Sequence, residues 1–313
     1  MSTAKDIGET VIQDARRILM VRPATFGFSI ENAESNVFQR RSEKSDAELQ
    51  RTALAEFDRA TETIRSAGVD LVVYDQEPNL HLPDAVFPNN WVSFHENTYV
   101  LYPMLSKQRR MERQMVMIPF LNSGKIINYK KHIDLTPYEI SGKFLEGTGS
   151  IVFDYENRIA YACLSPRTDV EVLNDLCQQL GYRPCSFNAV DETGVPVYHT
   201  NVILSICSDL VIFCEESIRN QQTKDRLKEM WQQAGRMVMG VTLEQARHFT
   251  CNVYQVTGKD GERKLLMSGS AFDAFTKDQR GLLEEKRTLV RCDIPTIEET
   301  GGGSLRCMVA RIA

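Results

Sequence analysis

Apolar positions along the chain follow two alternating periods, and the alternation itself repeats. Leu49, Ala53, Phe57, Ala60 and Ile64 fall on one face at helical spacing. Ser45 and Glu48, three residues apart, have the form of a capping box, and Gly68 follows as a stop signal. "VDLVVYD" then reads as a buried strand, and "WVSFHENTYVLY" as a hairpin. The succession recurs. Ser106 opens a helix through "SKQRRMERQMVMIPFLNS" to Gly124, followed by "KIIN" as a strand and "GSIVFDYENRIAYACLS" as a hairpin. Thr168 and Glu171 form a second capping box; the helix runs to Gly181, and "YRPCSF" and the hairpin "TNVILSICSDLVIFC" follow. Ser217 opens a polar helix to Gly235, then "RMVMGV" and the hairpin "CNVYQVTGKDGERKLLMS". A fifth helix begins around Asp273 and leads to "TLVRCDI".

The fifth unit supplies only one hairpin strand, in "CMVARIA", where Cys307 to Ala310 reads as buried strand. At the other end "RILMVRP" is a strand without a predecessor. Pairing Ile18–Val21 with Cys307–Ala310 completes the fifth unit. Units that cannot bury both faces alone favour a closed ring over an open sheet. The expectation is therefore an α/β fold of five ββαβ-type units, closed by its first and last strands, with residues 1–313 as a single domain. The competing expectation is an ordinary α+β domain with five helices.

Composition narrows the function. A net charge of −5 with no basic block argues against nucleic acid as a partner. The N-terminal stretch carries charges throughout and lacks the apolar core of a signal peptide, and no run reaches membrane-spanning length. The eight cysteines form no C-x-x-C pair and lie mostly in apolar stretches, which fits reduced, buried thiols and a cytoplasmic setting. No spacing calls for a metal or an organic cofactor.

Polar residues cluster just before each hairpin: Asp84, Asn89 and Asn90 in "DAVFPNNW", Glu146 in "LEGTGS", His199 and Asn201 in "VYHTNV", Asn252 in "FTCNV", and Cys307 in "GGGSLRC". Asn90 and Glu146 each lie 22 residues after their glycine, His199 18 and Asn252 17. In a closed ring such equivalent positions converge on the axis, bringing a thiol, an imidazole, a carboxylate and amides into one cavity. His81, His95, His132 and His248 have no comparable setting.

On "DAVFPNNW", "EGTGS", "LSPRT", "YHTNV", "CNVYQV" and "GGGSLRC", the chain resembles the pentein superfamily of guanidine- and ureido-modifying enzymes: arginine deiminases, dimethylarginine dimethylaminohydrolases and amidinotransferases. It is most similar to the citrulline ureidase branch. The resemblance implies a five-bladed α/β propeller. It implies Cys307 as nucleophile, His199 as general acid/base and Glu146 as the carboxylate that orients it. It further implies that Arg109 and Arg167 hold the carboxylate of an amino-acid substrate and that Asp84, Asn89, Asn90 and Asn201 line the rest of its site. It implies no cofactor and no macromolecular partner, and is compatible with a homo-oligomer.

The chain departs from its guanidine-binding relatives where they carry carboxylates and it carries Asn90 and Asn201. A guanidinium only donates hydrogen bonds and calls for carboxylates; a neutral ureido group has an acceptor and donors, which an amide can match on both sides. The departure favours citrulline. An arginine derivative countered by Glu146, group transfer to an amine, and a non-catalytic binding protein are the competing readings.

Overall fold

The structure is a computed structural model that describes residues 12–76, 81–113, 129 and 131–312. Its strands are β1 (Arg17–Arg22), β2 (Asp70–Asp75), β3 (Val92–His95), β4 (Thr98–Leu101), β5 (Lys131–Asp134), β6 (Val152–Asp154), β7 (Ile159–Cys163), β8 (Arg183–Phe187), β9 (Leu204–Ile206), β10 (Leu210–Phe213), β11 (Met237–Gly240), β12 (Tyr254–Thr257), β13 (Arg263–Ser268), β14 (Thr288–Cys292) and β15 (Ala310–Ile312). They form five three-stranded sheets, β3-β4-β5, β6-β7-β8, β9-β10-β11, β12-β13-β14 and β15-β1-β2. In each sheet the first two strands are antiparallel and the third is parallel to the second. A parallel partner requires a crossover, and helices such as Asp46–Ser66, Val170–Leu180 and Gln221–Gln233 provide it.

The fifth sheet joins the two ends of the described chain. β1 pairs antiparallel with β15 through Arg17 with Ile312, Ile18 with Arg311 and Leu19 with Ala310, and parallel with β2. The helix Asp46–Ser66 covers this sheet with the face expected from its periodicity: Leu49, Ala53, Phe57, Ala60 and Ile64 are all buried. Its capping box is formed as expected, with Ser45 accepting from the Glu48 N–H and Glu48 from that of Ser45. On the same helix, buried Glu56 accepts from the N–H groups of Thr296 and Ile297. A carboxylate at that helix start fixes the segment Pro295–Gly301, which leads into the triple glycine.

Several boundaries differ from expectation. The third helix is capped by Asp169 rather than Thr168, because the Asp169 carboxylate reaches the N–H groups of Glu171 and Val172 while Thr168 is held in a turn with Ser165. The fourth begins after Asn220; the hydroxyl of Ser217 is spent on the Cys214 carbonyl of a preceding turn. The fifth divides into Gly269–Ala274 and Lys277–Glu284, capped by Ser268 and Thr276. Cys307 lies in a tight helical turn, Leu305–Met308, and the strand starts only at Ala310. "KIIN" lies outside the described residues; the parallel strand of its sheet is Lys131–Asp134.

Closure through β15 predicts a stability effect. Ala310 is buried opposite Leu19. Ala310→Asp places a carboxylate there without a partner and is expected to destabilise the protein by about 3 kcal/mol or more. A lowered urea midpoint with loss of activity is the expected result; an unchanged midpoint would show that the pairing does not hold the ring.

Candidate active site

Four of the five sheets are preceded by a short helical turn that carries polar residues: Pro88–Asn90, Gly147–Ser150, Thr200–Val202 and Leu305–Met308. In the remaining sheet a bend presents Asn252, whose N–H bonds to the Phe249 carbonyl. These segments touch in a circle. Thr148 Oγ1 donates to the Asn89 carbonyl (3.4 Å), Thr200 Oγ1 to that of Ser150 (2.5 Å), and Asn252 Nδ2 to that of Asn201 (3.1 Å). Asn252 also meets Cys307 Sγ, and the Cys307 turn packs against Pro88–Asn90. Equivalent positions of the five units therefore do converge.

Glycine permits the close approach. A Cβ on Gly149 would lie 2.5 Å from Asn90 Nδ2 and 2.7 Å from His199 Nδ1, so those two nitrogens share the space a side chain would fill. Gly302 has φ +65°, which L residues rarely adopt, and its carbonyl accepts from Asn36 Nδ2 and the Tyr198 hydroxyl. The flanking Gly301 and Gly303 lie against the ring of Phe87.

Glu146 is fully buried and has three partners. Its Oε2 meets His199 Nε2 at 2.9 Å and Arg167 Nη1 at 3.2 Å; its Oε1 accepts from the Leu105 N–H at 3.1 Å. Burial alone would raise the pKa of this carboxyl. The Arg167 charge and the His199 bond outweigh it and hold the group well below the ordinary carboxylate range. His199 moves the other way. Desolvation disfavours imidazolium more than Glu146 favours it, because the Glu146 charge is already answered by Arg167, and its pKa falls to about 4. The resting ring is neutral, packed against Tyr198 at 4.5 Å between centroids.

Cys307 Sγ lies beside two amides: Asn252 Nδ2 at 3.4 Å and Asn201 Nδ2 at 3.5 Å donate to it, and the thiol donates to Asn252 Oδ1 at 3.6 Å. Asn252 is a contact that the sequence pattern located, without marking it as part of the site. The other thiols sit in apolar packing; burial raises those of Cys163, Cys177, Cys207 and Cys292 to about 12. Buried amide atoms of Asn89 (both), Asn90 (Nδ2) and Asn201 (Oδ1) have no hydrogen-bond partner among the described residues.

The two arginines are present but occupied. Arg109 forms two bonds to Glu112 (2.9 and 3.0 Å), one to Asn90 Oδ1 (2.6 Å) and one to the Phe87 carbonyl (3.0 Å). That pairing keeps Arg109 charged and turns it into a support for Asn90 rather than a free carboxylate binder. Arg167 bonds to Glu146, to the Asn32 carbonyl (3.0 Å) and to Ser35 Oγ (2.7 Å). Asp84 is buried and accepts from Asn32 Nδ2 (2.6 Å) and Gln39 Nε2 (3.5 Å); desolvation raises its pKa. Asn32, Ser35, Asn36 and Gln39 belong to one strap, residues 29–40, laid across the converging turns. Cys307, His199, Glu146, Asn90 and Asn201 are each at most 4% exposed beneath it. Among the described residues no group of three or more His, Cys, Asp or Glu side chains is placed to hold a metal.

Known proteins share this architecture. The apo form of ArgZ, an arginine dihydrolase from the ornithine-ammonia cycle in cyanobacteria, superposes with TM-score 0.73 at 19% identity over 95% of this chain, which spans only 40% of ArgZ. The N-terminal domain of ArgZ bound to substrate gives 0.72 at 19% identity, covering 95% of this chain and 98% of that domain. DDAH from Pseudomonas aeruginosa complexed with citrulline gives 0.67 at 13% identity, covering 95% and 99%. At such identities the likeness establishes the fold, the five-bladed pentein propeller. No curated protein matches the chain in sequence. The family model for eukaryotic N,N-dimethylarginine dimethylhydrolase matches residues 22–313. With that match over most of its length, the chain belongs to the dimethylarginine dimethylhydrolase family, within the pentein superfamily.

Proposed function

We propose that the protein is a cysteine-dependent hydrolase of the ureido group of citrulline. The observation that carries this reading is the set of unpartnered amide atoms at the site: a donor on Asn90 and an acceptor on Asn201, close to His199 and to Cys307. A buried polar atom left without a partner costs about 1–3 kcal/mol, a deficit that a complementary ligand removes. A ureido carbonyl answers the Asn90 donor, and a ureido N–H answers the Asn201 acceptor. With the strap in place a guanidinium meets no free carboxylate at the site among the described residues: Glu146 is bonded to His199, Arg167 and Leu105, and Asp84 to Asn32 and Gln39.

In this mechanism the Cys307 sulfur attacks the ureido carbon, and neutral His199 takes the thiol proton and delivers it to the departing amine. His199 then activates water against the thio-linked intermediate. The products are ornithine, ammonia and carbon dioxide, the last through a carbamate. Glu146 fixes the ring orientation through Nε2, so that Nδ1 faces the space beside Asn90. Substrate reaches the thiol when the strap lifts. That movement releases Arg167 from Asn32 and Ser35 and frees its guanidinium for the amino-acid carboxylate, while Arg109 remains bound to Glu112 and keeps Asn90 in place.

A second reading, hydrolysis of a guanidino substrate, is favoured by the family match itself. Incubation with citrulline, arginine and dimethylarginine separately, with identification of products, decides between them. The expected result is ornithine from citrulline and a kcat/KM ratio of citrulline to arginine above one. Asn90→Asp is expected to lower that ratio at least tenfold, because the carboxylate has no N–H for the carbonyl and suits a cation. A parent enzyme that turns over arginine well and citrulline poorly rules the reading out.

The neutral state of His199 has a consequence for stability. Its folded pKa, about 4, lies below the ordinary value of 6.5. Above 6.5 the ring is neutral in both states and contributes nothing to pH dependence. As pH falls from 6.5 towards 4 the unfolded chain gains a proton that the folded protein refuses, so stability declines across that window. His199→Gln is expected to flatten the decline in urea midpoint between neutral pH and pH 4. His95, whose pKa burial lowers to about 3, is common to both proteins. A variant as acid-sensitive as the parent would overturn the assignment of a neutral ring.

A further inference from the structure

We propose that the cavity beside the strap is a binding site for a small organic cation, an ammonium group on an apolar or aromatic body, with Glu298 as its counter-charge. The site lies outside the ring of Cys307, His199 and Glu146 and does not depend on the citrulline reading.

The cavity encloses about 650 Å³, within the range of small-molecule sites. The strap from Ser35 to Arg40 forms one wall, and the segments 191–203, 243–249 and 295–299 supply most of the rest. Its floor is apolar: Val202, Ile203, Ala246 and Phe249 are each at most 5% exposed. Three aromatic rings meet in the walls, with Phe38 lying 5.0 Å from Phe249 and 6.0 Å from Tyr198 between centroids. Such a surface suits an apolar body, and aromatic faces attract a cation.

Glu298 decides the charge. Among the described residues it is the one buried acid of the lining. Its Oε1 accepts from Ser304 Oγ at 2.6 Å and its Oε2 from Ser270 Oγ at 2.5 Å. These hydroxyls bring hydrogen bonds but no charge. Among the described residues no Lys, Arg or His forms an ion pair with Glu298, and the Glu56 carboxyl nearby is a second buried acid. Burial raises the pKa of Glu298, and the Glu56 charge adds to the rise. A carboxylate so placed lacks a cation, and its two oxygens keep acceptor capacity beyond the two hydroxyls. The rim carries charges of both signs, but they are exposed: Arg40, Glu192, Arg247, His248 and Glu299. Arg247 is paired with Glu192 and Glu244. Water and salt screen such groups, so the buried carboxyl sets the preference. A ligand in the cavity touches the strap on one side. On the other it meets the acid that holds Ser304, whose carbonyl accepts the Cys307 N–H.

The test is calorimetric binding of phenethylamine, of its uncharged isostere 2-phenylethanol and of 3-phenylpropionate, all at one ionic strength. The amine is expected to bind about tenfold or more tighter than the alcohol, the gain for a charge-assisted contact, and the carboxylate more weakly than either. Glu298→Gln keeps partners for both hydroxyls and removes the charge. It should bring the amine to the affinity of the alcohol and leave the alcohol unchanged. An amine that binds no tighter than the alcohol, or a preference that persists in folded Glu298→Gln, overturns the proposal. If Glu298→Gln does not fold, Ala246→Phe, which fills the floor, should abolish binding of the amine, and undiminished affinity there overturns it. No substrate is turned over in these measurements, so failure to hydrolyse citrulline would overturn the substrate reading alone.

Discussion

Three residue pairs between β1 and β15 hold the candidate site together. The Cys307 turn lies immediately before β15, so its position is set by a strand whose main-chain partner lies nearly three hundred residues away. The other polar turns are delivered by local hairpins. Cys307 alone depends on the ring being closed. The Glu56 carboxylate strengthens the same junction, reaching from the helix behind β1 and β2 to the helix start that leads into the triple glycine.

Within the ring, charge is balanced by pairing. Glu146 with Arg167 and Glu112 with Arg109 are sealed from solvent, where an unpaired ion would cost several kcal/mol. Each pair then supports a residue closer to the centre: Glu146 bonds to the His199 ring, and Arg109 holds Asn90 by its carbonyl. What remains uncommitted at the centre is neutral: amide atoms, an imidazole and a thiol. The strap completes the seal by bonding to Arg167, Asp84 and Gly302, which belong to different blades.

Much of this was legible in the sequence for a definite reason. Helix faces and hairpins declare themselves by period, and the face of Asp46–Ser66 matched residue by residue. The ring followed from counting units and finding one half-strand at each end. Local competition was less legible. Thr168 and Asp169 can both cap a helix, and only the turn that engages Thr168 decides between them. The run from Cys307 to Ala310 is apolar throughout, so no period marks where turn gives way to strand. Least legible were partners far apart in sequence. Nothing around Arg167 announces Asn32 and Ser35, and nothing around Asn252 announces a sulfur 55 residues on.

Closure by the outermost strands also orders assembly in time. During synthesis β1 emerges first and β15 after the other fourteen strands. Until then β1 has β2 on one side and an open edge on the other, with its main-chain donors and acceptors unpaired. A nascent chain carries this exposed edge while four blades fold beside it. Contacts so distant in sequence are slow to form, and an open edge is a template for pairing with another molecule. The arrangement that seats Cys307 in the finished protein leaves the unfinished chain with an open strand edge, and Cys307 takes its place only when the last blade is complete.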